Sequence, residues 1–548
     1  MNNFYQNRYF QALAIGIGFF LFFILLSSRD YMAVDGSTRC LDVAYRNEIF
    51  FHGNNHMLYP MHVFFWHKFL SLIGIKASSK LEYMHLTAVM NALAAAGVLV
   101  MFYSLLHHIT QSFRWALAII SCYAFSRAFL LHATNSTEPT VGLFWSILAI
   151  YILVFALSRD YSKLIFFTGW LLALSMATYQ SMVLIGPAAL VLCFNWPSKE
   201  STKESTKEST KKSTLILRLF YLMIGSVLGV ASIYGYAYYT SGTQDLKSMI
   251  TRFLAVSGDS VYGSFDLRKF ISLPVQFIRN VFPIMPGDFS GIVGWAVDNL
   301  NDKWWYWAYL VYGLITILVI RIIIYFWQTS NQMNWQEKIA IQSAIVGVLF
   351  PLLAAGYWFP GYDKLWLQPN LCLILVVGIL LKQTLKDSSK LLLPIVFLIL
   401  ALEVFSNLFW LIPSRYQENQ ALKGAEEVSK VVKSQDLVID GWDFVSLLYG
   451  ALWSHHIYNF HSAVEAKGKG VLDEIPKLIE ETKKRGGKVY FLGVLEETEA
   501  NWSWFLGPRG LPYSSLEPYR QKAKLVKHFK FSAFESSLYV LEFDEDQL

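Results

Sequence analysis

The sequence predicts a polytopic α-helical membrane protein of about eleven transmembrane helices, followed by a small C-terminal α/β domain. Three observations carry this. Of 548 residues, 54% are hydrophobic and only 16% are charged, against roughly 25% charged in an ordinary soluble domain. The apolar residues gather into runs near the length, about 20 residues, that an α-helix needs to cross the hydrocarbon layer. From about Tyr416 the composition changes, and short apolar strands alternate with amphipathic helices.

Taken in order, the apolar runs lie near 10–28, 85–107, 115–132, 140–157, 163–178, 180–194, 216–239, 304–326, 338–358, 367–381 and 390–412. The first lacks a small-residue cleavage site, so an uncleaved span is expected rather than a signal peptide. Segment 61–76 is apolar but short and carries His62, His67 and Lys68, which suits an interfacial helix. Basic residues concentrate in the short loops 107–114, 158–163 and 382–390 and in the lysine-rich stretch 199–212. By the positive-inside rule these face the cytoplasm. An odd number of spans then places the first loop (29–84), the loop bearing Glu138, the long loop 240–302 and the C-terminal domain on the opposite side. Residues 1–412 thus form the transmembrane domain and 413–548 the extracytoplasmic α/β domain.

Residues 198–214 contain a four-residue STKE repeat with nothing apolar to bury, and a disordered, solvated cytoplasmic linker is expected there. In the C-terminal domain DLVIDG, HIYNFH, KVYFLGV and SLYVLEF read as strands, and FVSLLYGALW and VLDEIPKLIEETKKRGG as helices. No G-x-G-x-x-G follows its first strand, so a dinucleotide site has no support. No basic stripe with interleaved aromatics points to nucleic acid. The cysteines, Cys40, Cys122, Cys193 and Cys372, form no paired motif, which argues against a disulfide framework or thiolate metal site.

In so uncharged a chain, acidic residues beside the membrane are costly unless solvated or used. Asp30, Asp35, Asp42 and Glu48 cluster in the first loop, and Glu138 precedes the fourth span. Solvated loop carboxylates explain Asp30 and Glu48 well enough. For Asp35 the surroundings matter. An acidic residue shortly after the first span, then HGNNHMLYPMH (52–62) leading into an apolar helix, resembles the start of the GT-C glycosyltransferases. Protein O-mannosyltransferase-like and aminoarabinose-transferase-like members are the branches it resembles, and the former carry a stretch like HPPGYPL there. TEPTVGLFWSILAIYILV (137–154) is similar to the family's second acidic site, and GWLLALSMATYQSMVLIGPAALVL (169–192) to its paired helices. This chain differs in having DG in place of two adjacent acids and NNHMLYP in place of the double proline.

The resemblance, which covers roughly the first 200 residues and the span layout, implies an inverting transferase. Its donor would be a polyprenyl-phosphate sugar and its acceptor a hydroxyl of a lipid, glycan or protein. It implies that Asp35 is the general base and Glu138 an accessory carboxylate. The chemistry suits these residue types. A carboxylate beside the acceptor can take its proton, and cations aimed at the leaving phosphate stabilise the charge that develops there. Arg39, Arg268, Lys269, Arg279 and Lys364 are the candidate phosphate partners, although Lys and Arg at helix ends also serve as interfacial anchors. Asp42, His52, Asn55, His56 and Tyr59 are candidate substrate contacts. His52 and His56 with Asp35 could instead hold a divalent ion, as in some relatives; hydrogen bonding to sugar is weighed above that, and no metal ligand is assigned. A bacterial inner membrane with a periplasmic site is the expected location. Two other functions stay open: a transporter or flippase for a lipid-linked glycan, and a polymerase or ligase of the same architecture.

Overall fold

The computed structural model describes residues 2–27, 40, 43–44, 57–197, 208–241, 270, 273, 276–277, 280–281, 324, 333–357, 363–387, 401, 403–409, 411–412, 420–441, 456–460, 463–464, 468–499, 502, 510–530 and 535–542. It divides into two compact units: Met1–Ser28, Glu48–Lys76 and His85–Arg415 in one, and Arg29–Asn47, Ala77–Met84 and Tyr416–Leu548 in the other.

The first unit is helical. Among the described residues five helices are long and apolar enough to cross a membrane: Leu81–Thr110, Glu138–Arg159, Ser213–Tyr236, Trp335–Gly356 and Lys364–Gln383. Phe113–Phe125 and Arg127–Ala133 make a sixth if taken together. The chain is therefore an integral membrane protein of polytopic helical type. Tyr9–Leu25, Leu164–Thr178 and Gln180–Asn195 are shorter apolar helices. The predicted span 304–326, apart from residue 324, and most of 390–412 lie outside the described residues.

Two expectations change. The run 115–132 is not one straight span, because the helix breaks at Ser126 and turns by 72°. Ser126 is extended (φ −61°, ψ 141°), its hydroxyl donates to Tyr123 O at 2.8 Å, and its own carbonyl accepts from Leu130 N. Its hydroxyl thus satisfies a carbonyl that the break would orphan, while the same residue is by position the N-cap of the second half-helix. The linker 198–214 is not wholly disordered either, since a helix begins at Glu208 and runs to Ser241. Lys and Glu are good helix formers, and an adjoining apolar span saves them the cost of nucleation.

Elements pack through small residues. Gly225 and Gly229 lie one turn apart on the Glu208–Ser241 helix and face Phe166, Trp170 and Ala173 of Leu164–Thr178. A Cβ added at Gly225 would stand 2.0 Å from Phe166 O, and one at Gly169 would stand 2.2 Å from Leu222 O. This is small-xxx-small packing, in which backbones approach because no side chain intervenes. Serines stitch the next pair. Ser146 and Ser175 share a 2.6 Å hydrogen bond, and Ser175 Oγ donates to Gly142 O at 2.7 Å. At the end away from Glu138, Lys382 Nζ reaches both Glu337 Oε1 and Thr110 O at 2.8 Å, tying three helices together.

The predicted interfacial segment is a helix, Tyr59–Leu72, begun by Pro60 in its first turn. Trp66 Nε1 donates to Leu86 O at 2.7 Å, while Phe65, Phe69 and Leu72 stay exposed.

The second unit holds a five-stranded sheet, β1 (Leu437–Asp440), β2 (His456–Asn459), β3 (Val489–Leu492), β4 (Ala523–Lys530) and β5 (Glu535–Leu541), in the order β2-β1-β3-β5-β4. β1 is parallel to β2 and β3, whereas β5 runs antiparallel to β3 and β4. The parallel core strands β1 and β3 are buried throughout, as continuous apolar runs should be. The helix Val471–Lys484 covers them with Val471, Ile475 and Ile479. Four strands fall where the sequence puts them, and β4 is an addition. Its lysines and its largely exposed side chains conceal it, and they suit an edge strand that must resist further pairing. The expected helix 444–453 lies outside the described residues.

Candidate functional site

Glu138 is the first residue of the helix Glu138–Arg159 and is fully buried. Its surroundings are built by the bent pair that precedes it. The short helix Arg127–Ala133 ends in a loop, Thr134–Thr137, whose polar side chains fold back on the backbone. Thr134 Oγ1 donates to Leu130 O at 2.7 Å, Asn135 Nδ2 to Leu131 O at 2.9 Å, and Thr140 Oγ1 to His132 O at 2.8 Å. From across the bundle Asn91 Nδ2 donates to both Asn135 O and Thr137 O at 2.6 Å. The loop is thereby pinned from two sides, and the carboxylate it presents sits at a helix N-terminus, where the macrodipole favours negative charge.

Opposite Glu138 is Lys364, on the 3-10 turn Asp363–Trp366 that opens the helix Leu367–Asp387. Its Nζ lies 3.5 Å from Glu138 Oε2, and both side chains are buried. Tyr123 OH donates to Leu367 O at 2.9 Å, fixing that helix start, and Trp366 is buried beside Phe277 with ring centroids 6.3 Å apart. A pair separated by 226 residues in sequence is thus held by four elements.

The site is rich in polar atoms that no protein group engages. Glu138 Oε1 and His132 Nε2 are buried without a hydrogen-bond partner, as are Gln368 Nε2 and both amide atoms of Asn370 on the helix that follows Lys364. His132 Nδ1 is 3.1 Å from Thr137 Oγ1, which leaves the other ring nitrogen for a ligand. Arg127 is buried on the same short helix. Gln368 lies in the first turn of the helix that the 3-10 turn bearing Lys364 opens. Buried orphan groups cost about 1–3 kcal/mol each, so several together mark a place built to receive something polar.

Of the residues expected from sequence, Glu138 and Lys364 meet here. Tyr59 is fully buried and touches the site indirectly, its OH donating to Asn91 Oδ1 at 3.5 Å. Asp35, Arg39, Asp42, His52, Asn55, His56, Arg268, Lys269 and Arg279 lie outside the described residues. So do Asp30 and Glu48. Among the described residues no group of three His, Cys, Asp or Glu could hold a metal ion. His132, Arg127, Gln368 and Asn370 were not foreseen. The signal that could have found them is position: polar residues flanking the apolar runs on either side of Glu138 and Lys364.

No family model matches the chain, and no curated protein does. Among solved structures the chain is similar to the crystal structure of ArnT from Cupriavidus metallidurans in the apo state, with TM-score 0.38 and 10% identity. It is also similar to the same protein bound to undecaprenyl phosphate, with TM-score 0.35 and 10% identity. Each likeness covers 96% of this chain and 97% of the other.

Proposed function

We propose that this protein is an inverting glycosyltransferase of GT-C type, which moves a sugar from a polyprenyl-phosphate donor to an acceptor hydroxyl at the membrane surface. The observation that carries it is the buried Glu138–Lys364 pair at the head of apolar spans, ringed by polar atoms without protein partners. Such a place suits a reaction that separates charge between a lipid phosphate and a sugar.

In this reading the acceptor oxygen attacks the anomeric carbon as its proton passes to a carboxylate. The bond from that carbon to the phosphate oxygen breaks, and the polyprenyl phosphate leaves with the electron pair. Asp35 is the proposed base. Lys364, pre-positioned in a water-poor site, would stabilise the phosphate charge. Glu138 would hold Lys364 in place and orient the sugar through its second oxygen, while His132 and Gln368 offer further contacts. Tyr59 is a positioning residue, acting through Asn91 on the loop before Glu138. His52 and His56 would hydrogen-bond the sugar, and the alternative, that they hold a divalent ion with Asp35, is tested by EDTA. The setting is a bacterial inner membrane with the site on the periplasmic side.

One observation favours a second reading, a flippase for a lipid-linked glycan. The span broken by 72° beside the site is the kind of discontinuous helix that transporters use. The deciding experiment supplies purified protein with polyprenyl-phosphate sugars and lipid acceptors, with and without EDTA, and measures free polyprenyl phosphate. Release by wild type that is lost in Asp35→Asn and Lys364→Met supports the transferase. No release from any donor, with transfer of labelled lipid between leaflets in proteoliposomes, sinks it in favour of the flippase.

A further inference from the structure

We propose that the chain binds a monovalent alkali cation between two helical segments, one carrying Gln276 and Asn280 and the other carrying Glu403 and Asn407. Residues 276–277 and 280–281 are helical, as are 403–409. Each named pair is spaced i, i+4 and so occupies one helix face. The two segments touch, because Asn407 Nδ2 donates to Val281 O at 2.7 Å. On the first segment Asn280 Nδ2 donates to Gln276 O, also at 2.7 Å.

All four side chains are at most 2% exposed. Each keeps one oxygen that no protein donor reaches: Gln276 Oε1, Asn280 Oδ1, Glu403 Oε1 and Asn407 Oδ1. Both asparagines spend their amide nitrogens on backbone carbonyls, so what remains is a surplus of acceptors. The Cys122 thiol hydrogen-bonds the Glu403 carboxyl, which leaves Oε1 as its unpartnered oxygen.

Charge decides what fits. A proton on Glu403 supplies one donor to four oxygens and leaves the others unmet. A hard cation engages oxygen ligands together. One carboxylate with three neutral carbonyl oxygens balances a single positive charge, whereas a divalent ion would leave net charge in a low-dielectric interior. This inference is independent of the glycosyltransferase reading.

The test uses the full chain in detergent, equilibrated in N-methylglucamine chloride and then titrated with sodium or potassium chloride at fixed ionic strength. The expected result is a saturable rise of several degrees in melting temperature. The rise should vanish in Asn407→Leu and Glu403→Gln, and sodium-23 line broadening should vanish with it. The wild-type titration decides even if a variant fails to fold. Identical melting in all three salts means that water alone occupies the oxygens and overturns the proposal. A shift with calcium or magnesium and none with alkali ions overturns it as well.

Discussion

At the scale of single residues, the Glu138–Lys364 pair is the most consequential. Breaking a buried ion pair by removing one partner strands the other charge, at a cost of about 3–5 kcal/mol. Lys364→Met should therefore lower the melting temperature sharply, and the double variant Glu138→Gln with Lys364→Met should recover most of that loss. Activity should behave differently. If Lys364 stabilises the leaving phosphate, kcat falls by about 10²–10³ in the single variant and stays low in the double one. Recovery of turnover along with stability would mean that the pair is only a structural clamp.

His62 carries a second residue-scale prediction. It lies on the interfacial helix, where Nδ1 donates to Leu58 O at 2.7 Å and Nε2 accepts from Trp145 Nε1 at 2.9 Å. The bond from Trp145 needs the neutral ring, since a proton on Nε2 would face another N–H, whereas the Nδ1 bond to Leu58 O survives protonation. Burial holds the imidazole down, at about 4, against the partly opposing bond to Leu58. The folded state thus binds fewer protons than the unfolded one between about pH 6.5 and 4. The stabilisation is whole above about pH 6.5 and declines as pH falls through that window. Melting curves from pH 8 to 4 should show this fall, and His62→Gln should flatten it.

At the scale of elements, the contact between Leu164–Thr178 and Glu208–Ser241 depends on having no side chain at Gly225 and Gly169. Backbone oxygens, unlike flexible side chains, cannot step aside. Gly225→Ala should force the helices apart and cost about 1–3 kcal/mol, read as a lower melting temperature in detergent. Gly18, with open space around the position of a Cβ, is the control and should tolerate alanine. Sequence periodicity found these helices but not their contact. The same limit hid the break at Ser126, which no proline or glycine announces, because a serine whose hydroxyl satisfies the end of a half-helix looks like any other polar residue in an apolar run.

For the whole molecule, topology is the prediction to check. The distribution of Lys and Arg puts Lys163 in the cytoplasm and Lys477 on the other side. With Lys163→Cys and Lys477→Cys introduced separately, a membrane-impermeant maleimide applied to intact spheroplasts should label only the second. Native Cys40, Cys193 and Cys372 are buried, which keeps the background low. Labelling of Lys163→Cys instead would invert the orientation and move the Glu138 site to the cytoplasmic face.

The sequence by itself determined the class of molecule. Apolar runs of membrane-spanning length, strands of continuous Val, Ile, Leu and Phe, and the composition change near Tyr416 are local properties, and local properties are what a one-dimensional pattern records. It also singled out Glu138 and Lys364, since charge beside an apolar span is conspicuous. Only the tertiary structure decided that these two residues, 226 apart, form one buried pair. It alone showed that Tyr59 OH donates to Asn91 Oδ1, and that Glu138 Oε1 and His132 Nε2 are buried without a partner. The physical reason is that burial and partnership belong to the packed chain. A histidine or glutamine reads the same in a sequence whether its nitrogens are satisfied or not, and only packing settles which.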